Sequence, residues 1–481
     1  MPFAVRERMS RVDTAWLRMD NDVNLMMIVG VWLLQAKVGY ETLCRRVEDK
    51  LLKYERFRQR VARDAAGAAW VEDEGFDIHR HVVREKVARA AGQSERQALQ
   101  ARVGELATTP LDAARPLWQF HLIESYEGGS AIVLRIHHCI GDGIALISVM
   151  MTITDGGSDP PSRRRRAANE SDGEGGDWLA DAVLKPLGGL SAKAAGLAEA
   201  SIARALDALA DPQQGLAGSI DGIRTAARVL GDVASMALMA DDSPTLLKGK
   251  PDGRKRVAWG EPISLDRVKA IGKALGCSIN DVLLASVCGA IGDWLREQGD
   301  DPAGKEIRAM VPVNLRPLEE AWKLGNRFGL APLVLPIGIA NPVARVFAVR
   351  ARMAALKASY QPLLAFAVLA VAGQMAKPVQ DMILGLFAKK ATAVMTNVPG
   401  PAVPLKFCGS TLKQTMFWVP ASGEIGVGVS ILSYGGGVQF GLITDEALCA
   451  DPQAIVDAFE PEFDKLLLLS MMLPWGESPA S

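Results

Sequence analysis

One stretch, Ala131–Ile144 (AIVLRIHHCIGDGI), decides the fold class. It begins with branched apolar residues, which predicts a buried strand over Ala131–Ile136. Gly141-Asp142-Gly143 then predicts a tight turn, and Asp142 stands where the N-cap of an apolar helix at Ile144–Ile153 is expected. A strand that leads through a turn into a helix is typical of α/β folds.

Strand-like and helix-like segments alternate on both sides of this stretch. Upstream, a buried strand is predicted at Leu25–Leu34, a helix at Tyr40–Leu52 and a charged helix from about Ser94 to Leu106. Downstream, a second α/β block is predicted from near Arg254: strands at Arg256–Trp259, Ile307–Val313, Ala331–Ile337, Ala393–Thr396, Gly426–Ser433 and Gly437–Thr444, and helices from Leu265, at Val282–Gln298, from Val343 to about Lys390 and at Pro452–Met472. The chain therefore carries two α/β blocks.

The composition between the two blocks divides the chain. Residues 155–177 are rich in Gly, Ser, Pro and charge, including Arg163–Arg166, which predicts a mobile linker. Trp178–Ala240 is rich in Ala and Leu and is predicted to be helical. We predict an N-terminal domain at 1–154, a linker and helical connector at 155–250, and a C-terminal domain at 251–481.

Charge and cysteine usage exclude several classes of function. The 481 residues include 54 Lys and Arg against 55 Asp and Glu, so the chain has no basic field for nucleic acid. Its 6 cysteines form no C-x-x-C pair, which argues against a zinc site or a disulfide framework and favours a reducing cytoplasm. No P-loop, HExxH or G-x-S-x-G motif is present, so we expect neither a metal nor a cofactor nor a serine nucleophile.

The apolar runs are too short to predict a membrane span. Leu25–Leu34 and Pro362–Gly373 are each about half of the roughly 20 residues that a spanning helix needs, and Met1–Asp22 shows no export signal. The stretch Pro362–Lys390 could still lie in a membrane interface, and an ordinary core helix is an equally good interpretation.

His138 is the candidate general base. Strand alternation places Ile132, Leu134, Ile136 and His138 on one side, so the imidazole should point inward. Histidine ionises near neutral pH and therefore suits the removal of a hydroxyl proton. A single histidine at a strand end is usually only a satisfied polar residue, but two adjacent histidines in the spacing HH-x3-DG favour a catalytic role.

The neighbours of His138 are assigned supporting roles. His137 should set local geometry, and Asp142 is predicted to form an internal ion pair rather than to act as a catalyst. Asn280 is a candidate donor to an oxyanion, with N-capping of the helix from Val282 as the alternative. Thr396–Pro401 is interpreted as a rigid turn after a strand.

The order of motifs resembles the wax ester synthase/diacylglycerol acyltransferase family. That family lies in the HH-x3-DG superfamily with chloramphenicol acetyltransferase and peptide-synthetase condensation domains. The motifs that carry the resemblance are Met9–Trp16 (MSRVDTAW), Arg115–Trp118 (RPLW), His137–Gly143, Asn280-Asp281, Val311–Arg316 (VPVNLR), Gly325–Gly329 (GNRFG) and Thr396–Pro401 (TNVPGP). The first departs from the family pattern at Met9 and Arg11, and we assign no chemistry to either position.

The resemblance implies a fold and a mechanism. The fold would be two chloramphenicol-acetyltransferase-like α/β domains that face each other across a substrate tunnel. His138 would take the proton of a fatty alcohol or diacylglycerol, whose oxygen would attack acyl-CoA directly without an acyl-enzyme. Acyl-CoA would be a substrate, not a cofactor, and the protein would be cytoplasmic, attached peripherally to the inner membrane face or to lipid droplets.

Further residues are implied with less definite roles. Gly143, Asn280, Asp281 and Arg316 would bind substrate or support the site, and Arg316 is the hypothesised partner of Asp142. Two alternatives stay open: a superfamily acyltransferase with another alcohol or an amine as acceptor, and a non-catalytic lipid-surface protein.

Overall fold

The computed structural model describes residues 6–64, 67–157, 239–316, 323–359 and 389–472, together with residues 361, 362, 365, 377 and 380. The predicted linker after residue 157, the predicted helical connector up to residue 238 and most of the 362–390 stretch lie outside the described residues. The elements below therefore belong to the two α/β blocks.

The described elements are strands and helices that occur in both blocks. The strands are β1 (Glu7–Arg8), β2 (Met27–Leu34), β3 (Gln59–Asp64), β4 (Gly67–Glu72), β5 (Val82–Glu85), β6 (Trp118–Tyr126), β7 (Gly129–His137), β8 (Lys255–Trp259), β9 (Ile263–Ser264), β10 (Ile307–Asn314), β11 (Phe328–Leu335), β12 (Ala393–Pro399), β13 (Lys406–Phe407), β14 (Ser410–Trp418), β15 (Val427–Tyr434) and β16 (Gly437–Asp445). The helices are α1 (Arg11–Met19), α2 (Tyr40–Lys50), α3 (Ile78–His81), α4 (Glu95–Ala107), α5 (Gly143–Ile153), α6 (Leu265–Leu275), α7 (Ile279–Glu297), α8 (Pro342–Lys357) and α9 (Pro452–Met471). Two short 3-10 turns, Leu51–Lys53 and Glu55–Phe57, follow α2.

The first large sheet has the strand order β13-β14-β2-β7-β6-β5. Strand β7 lies between β2 and β6 and is antiparallel to both. Ile132, Leu134 and Ile136 enter one apolar core, whereas Ala131 and Val133 enter another on the opposite face. The predicted alternation is thus present, and both faces of β7 are buried because each is covered by its own core.

The second large sheet has the order β11-β10-β12-β15-β16-β8, with β9 paired to β16. Strand β12 runs parallel to both β10 and β15. Helices α7, α8 and α9 pack against one another beside this sheet. The buried pair Arg345–Glu462 ties α8 to α9, and Arg345 also donates to the carbonyl of Ala285 in α7. A third, small sheet has the order β1-β4-β3.

Strand β14 joins the two blocks. It comes from the C-terminal block, yet it pairs with β2 in the first sheet, with Thr415 opposite Trp32. Its Met416 and Trp418 complete the apolar core that also holds Val31. The first sheet therefore contains a strand from beyond residue 250, so the sheets do not divide where the chain was predicted to divide. The apolar side chains of β14 are buried beside β2, which is distant in sequence.

Most predicted elements are confirmed within one to three residues, and three details differ. Helix α7 is capped by Ser278 rather than opened by Asn280, and Asp281 closes a capping box with Ser278. The predicted strand at Ala393–Thr396 continues to Pro399, so most of the supposed turn Thr396–Pro401 is strand. The helix predicted from Val343 to about Lys390 has a first segment that ends at Lys357.

The described residues contain no single helix long and apolar enough to cross a membrane. Helices α6 and α7 would reach the length and composition only as a pair, and that pair bends by 101°.

Candidate active site

His138 follows the last residue of β7 and is held from both blocks. Its backbone N–H donates to the carbonyl of Met26 at 2.7 Å, and Gly325 of the second block donates to the carbonyl of Ile140 at 3.0 Å. Gly141 also forms an isolated parallel bridge with Gly325. Gly325 has a φ of 103°, which glycine adopts without the steric strain that other residues would have. This backbone conformation explains why a glycine stands at this contact. The histidine motif therefore lies at the junction of the two blocks.

The imidazole of His138 contacts two aromatic rings, which also lie 5.7 Å from each other. Trp16 stacks on it at 4.1 Å between ring centroids and 9° between planes, and Phe328 lies at 5.4 Å. The residue is 3% exposed. Burial lowers the pKa of His138 to about 4, because the cation loses its hydration. The ring is therefore neutral at pH 7.

The bonding of Asn326 assigns the tautomer of His138. Its Nδ2 donates to the carbonyl of His138 at 2.7 Å, so its Oδ1 is the atom that lies 2.8 Å from His138 Nδ1. An amide oxygen only accepts, so Nδ1 carries the proton. His138 Nε2 is left with its lone pair, as a base requires.

His137 has a different environment. Its Nδ1 accepts from the backbone N–H of Cys139 at 3.1 Å, which places the proton on Nε2. Nε2 then donates to Asp20 at 3.1 Å. Burial would raise the pKa of Asp20, but the hydrogen bonds from His137 and from the N–H of Met26 lower it overall. Both nitrogens of His137 are occupied, so this residue shapes the turn.

Asp142 connects the helix start to the second block. Its Oδ1 accepts from the N–H of Ala145 at 2.9 Å, which confirms the predicted N-cap of α5. Its Oδ2 accepts from Arg316 Nη2 at 2.9 Å and from the N–H of Arg327 at 3.0 Å. Arg316 also donates to the carbonyl of Gly325 at 2.6 Å. The hypothesised Asp142–Arg316 pair is thus present and buried, and it fixes the two blocks against each other.

Gly143 is the first residue of α5, and its position shows no steric need for glycine. A Cβ there would meet only Phe417 at 3.9 Å, an ordinary contact. We therefore find no close backbone approach that explains this residue.

Asn280 does not cap α7, but it has a partner in the same block. Its Oδ1 accepts from Asn397 Nδ2 at 3.0 Å, at the end of β12. The next residue of β12, Val398, packs against Ile144 and Ile147 of α5. The Asn280–Asn397 pair therefore lies near the junction that α5 forms with the second block, whereas Asp281 is engaged in capping.

Three residues around His138 were not singled out by the sequence patterns. Asn326 lies in the quoted GNRFG motif, and Asp13 and Trp16 lie in the quoted MSRVDTAW motif, but no chemistry was assigned to them. The only signal was their place in motifs that resemble the family. Trp16 and Asn326 contact His138 and Asp13 bonds to Asn326, and these segments are far apart in sequence.

Within the described ranges, no group of three or more His, Cys, Asp or Glu side chains could hold a metal ion. The arrangement around His138 is suited to proton transfer in a buried site, because a neutral imidazole with a fixed tautomer lies at the junction of two blocks.

Two family models match most of the chain. The model described as "Wax ester synthase/diacylglycerol acyltransferase catalytic domain" matches residues 9–283, and the model described as "WS/DGAT C-terminal domain" matches residues 324–467. The first model contains the histidine motif, and the second contains Asn326.

Individual proteins agree with these matches. The chain is 26% identical over 441 residues to the "Probable diacyglycerol O-acyltransferase tgs1" of Mycobacterium tuberculosis, covering 89% of this chain and 88% of that protein. The fold is similar to that of the wax ester synthase/diacylglycerol acyltransferase from Marinobacter aquaeolei VT8, with a TM-score of 0.66, 21% identity and coverage of 97% and 100% of the two chains. It is also similar to the first condensation domain of the calcium-dependent antibiotic synthetase, with a TM-score of 0.58, 15% identity and 97% coverage of each chain.

The expected two-domain α/β architecture of the chloramphenicol acetyltransferase type is therefore confirmed. The family model that spans the histidine motif covers more than half of the chain. Together with the mycobacterial relative, it establishes that this chain belongs to the wax ester synthase/diacylglycerol acyltransferase family and is an acyltransferase.

Proposed function

We propose that the protein transfers a long-chain acyl group from acyl-CoA to the hydroxyl of a fatty alcohol or of diacylglycerol, with His138 Nε2 as the general base. The observation that carries this proposal is the fixed tautomer of His138. Its Nδ1 is engaged by Asn326 at 2.8 Å, and Nε2 has no hydrogen-bond partner among the described residues.

In the proposed reaction, His138 takes a proton from the acceptor hydroxyl and returns it to the leaving CoA sulfur. His138 Nε2 takes the hydroxyl proton while the oxygen attacks the thioester carbonyl, so that a C–O bond forms and a tetrahedral oxyanion results. When the oxyanion collapses, the C–S bond breaks and the imidazolium returns its proton to the CoA sulfur. Burial lowers the pKa of His138 to about 4, so its cation is a stronger acid than a solvated imidazolium and gives up the proton more readily.

Asn280 is our candidate donor to the oxyanion. Its Oδ1 is held by Asn397 Nδ2, which leaves the Asn280 amide hydrogens for another acceptor. We expect Asn280→Ala to lower kcat by about 10²- to 10³-fold with little change in KM, as for loss of an oxyanion donor. An unchanged kcat would assign the oxyanion to another donor, such as a backbone amide.

Two acceptor classes are proposed because the relatives carry both in their names. The mycobacterial relative is named a diacylglycerol O-acyltransferase, and the Marinobacter structure is named a wax ester synthase/diacylglycerol acyltransferase. We further propose that the enzyme works at the cytoplasmic membrane face or on lipid droplets, since long-chain acceptors partition there. Sedimentation with phosphatidylglycerol vesicles tests this attachment, and no binding at physiological salt would refute it.

The test of the proposed function is CoA release measured with a thiol reagent. Palmitoyl-CoA is offered with hexadecanol or with dipalmitoylglycerol, and the ester product is identified by chromatography. We expect His138→Ala to lose about 10²- to 10⁴-fold in kcat, the usual contribution of a general base.

His121→Ala is the matched control. His121 is also buried, at 4% exposed, and burial together with the charge of Arg135 lowers its pKa to about 4. It bonds to Glu85 rather than to the site, so its loss should leave kcat per folded molecule unchanged. No CoA release by the wild type with either acceptor, or equal kcat for His138→Ala and wild type, would refute the proposal.

A further inference from the structure

Helix α1 lies outside both large sheets, yet one of its residues contacts His138 and another bonds to Asn326. Ser10 caps this helix, and Asp13 occupies the third helical position. Trp16 follows three residues later on the same face and stacks on the His138 ring at 4.1 Å. The general base therefore receives contacts from β7, from the GNRFG segment and from α1.

Asp13 bonds to the residue that holds His138. Its Oδ1 accepts from Asn326 Nδ2 at 2.7 Å and from the Asn326 backbone N–H at 3.0 Å. The second hydrogen on Asn326 Nδ2 goes to the carbonyl of His138 at 2.7 Å. Both amide hydrogens of Asn326 are thus used, and its oxygen is left to face His138 Nδ1.

The opposite orientation of the Asn326 amide would be costly. It would place the amide oxygen against two other oxygen acceptors, Asp13 Oδ1 and the His138 carbonyl. The two amide hydrogens would lose both of these acceptors. The amide NH2 would then face His138 Nδ1, which would have to accept. The ring proton would move to Nε2, and His138 could no longer take a proton from a substrate.

We propose that Asp13 is a positioning residue for the acyl transfer: through Asn326 it keeps the His138 proton on Nδ1 and the lone pair on Nε2. This inference rests on the proposed function of His138. Asp13 is 6% exposed, and burial raises its pKa because the charged form loses hydration. The hydrogen bonds from Ser10 and Asn326 only partly oppose this rise. A positioning role explains why a carboxylate occupies this costly place.

The direct test compares two substitutions of Asp13. Asp13→Leu removes the acceptor at similar volume, whereas Asp13→Asn retains a weaker, neutral one. We expect kcat to fall on the order of 10- to 100-fold in Asp13→Leu and by less than about 10-fold in Asp13→Asn, because hydrogen bonds to charged groups are the stronger ones. KM for palmitoyl-CoA should stay within about twofold of wild type, since Asp13 acts through Asn326 rather than on the substrate.

Two further measurements separate positioning from a general loss of stability. The ¹⁵N shifts of the His138 ring, assigned by comparison with His138→Ala, should report a protonated Nδ1 in the wild type and a mixture with protonated Nε2 in Asp13→Leu. In an Asn326→Ala background, Asp13→Leu should have no further effect on kcat, because the two residues act through one bond.

Asp242→Leu is the matched control. Asp242 is another buried carboxylate, 8% exposed, whose pKa is raised by burial and which accepts from the N–H of Arg308 and from Thr392 in the second block. Its loss should reduce stability while kcat per folded molecule and the His138 ring shifts stay unchanged.

The outcomes distinguish this inference from the proposed function. If His138→Ala abolishes activity while Asp13→Leu keeps both wild-type kcat and wild-type ring shifts, the positioning role is refuted. It is also refuted if Asp13→Leu costs as much in the Asn326→Ala background as alone. If instead His138→Ala is fully active, the proposed function fails, and the ring shifts still report whether Asp13 sets the tautomer.

Discussion

The buried ion pair between Asp142 and Arg316 provides a measurable test of how the two blocks are joined. Both side chains are almost fully buried, and Arg316 Nη2 lies 2.9 Å from Asp142 Oδ2. Arg316→Met removes the cation at similar volume and leaves the carboxylate without its charge partner. Breaking a buried pair in this way costs about 3–5 kcal/mol in the free energy of unfolding.

The structure places the expected value at the lower end of that range. Asp142 keeps two backbone donors, the N–H groups of Ala145 and Arg327, which still stabilise its charge. We therefore expect a loss of about 3 kcal/mol. With an unfolding entropy of about 2.1 cal/mol/K per residue, a 481-residue chain that unfolds as one unit loses about 3 °C in Tm.

The assay is a calorimetric melt of wild type, Arg316→Met and the double variant Arg316→Met/Asp142→Asn. The double variant should recover most of the lost Tm, because asparagine is a good N-cap and carries no buried charge. Arg254→Met is the control: Arg254 pairs with Asp252 at the surface, so its Tm should equal that of wild type. A Tm of Arg316→Met within about 1 °C of wild type, or a double variant no more stable than the single one, would refute this account.

Two further predictions concern His138. Burial lowers the pKa of His138 from 6.5 in the unfolded chain to about 4 in the folded protein. As the pH falls, the unfolded chain therefore binds a proton at His138 before the folded protein does. The contribution of His138 to stability is complete above about pH 6.5 and is lost towards pH 4. The Tm of His138→Gln should fall less than that of wild type between about pH 7 and pH 5, and parallel curves would contradict a buried neutral ring. Trp16→Ala should lower kcat by about 10-fold through loss of the stacked ring, whereas Trp16→Phe should keep most of the rate; equal rates for both variants would exclude a positioning role for the stack.

The histidine motif was predictable because its structure depends on local rules. Alternation along β7, the N-cap preference of Asp142 and the apolar composition of α5 each involve residues within a few positions of one another. Resemblance between separated motifs then identified the family, since their order along the chain is visible without a structure. The predicted N-cap at Asn280 was wrong by two residues, because Ser278 caps this helix and closes a capping box with Asp281.

Other features depend on pairings between distant segments and could not be read from the chain. Strand β14 enters the first sheet only because its apolar side chains find a complementary core beside β2. Trp16 and Asn326 contact His138, and Asp13 bonds to Asn326. All three are separated from His138 by more than 100 residues and reach these positions only after both blocks have packed. Local sequence thus determined that His138 lies on the same side as Ile132, Leu134 and Ile136. Tertiary packing decided the pKa of His138 and which nitrogen carries the proton, because desolvation and hydrogen-bond partners are properties of the assembled site.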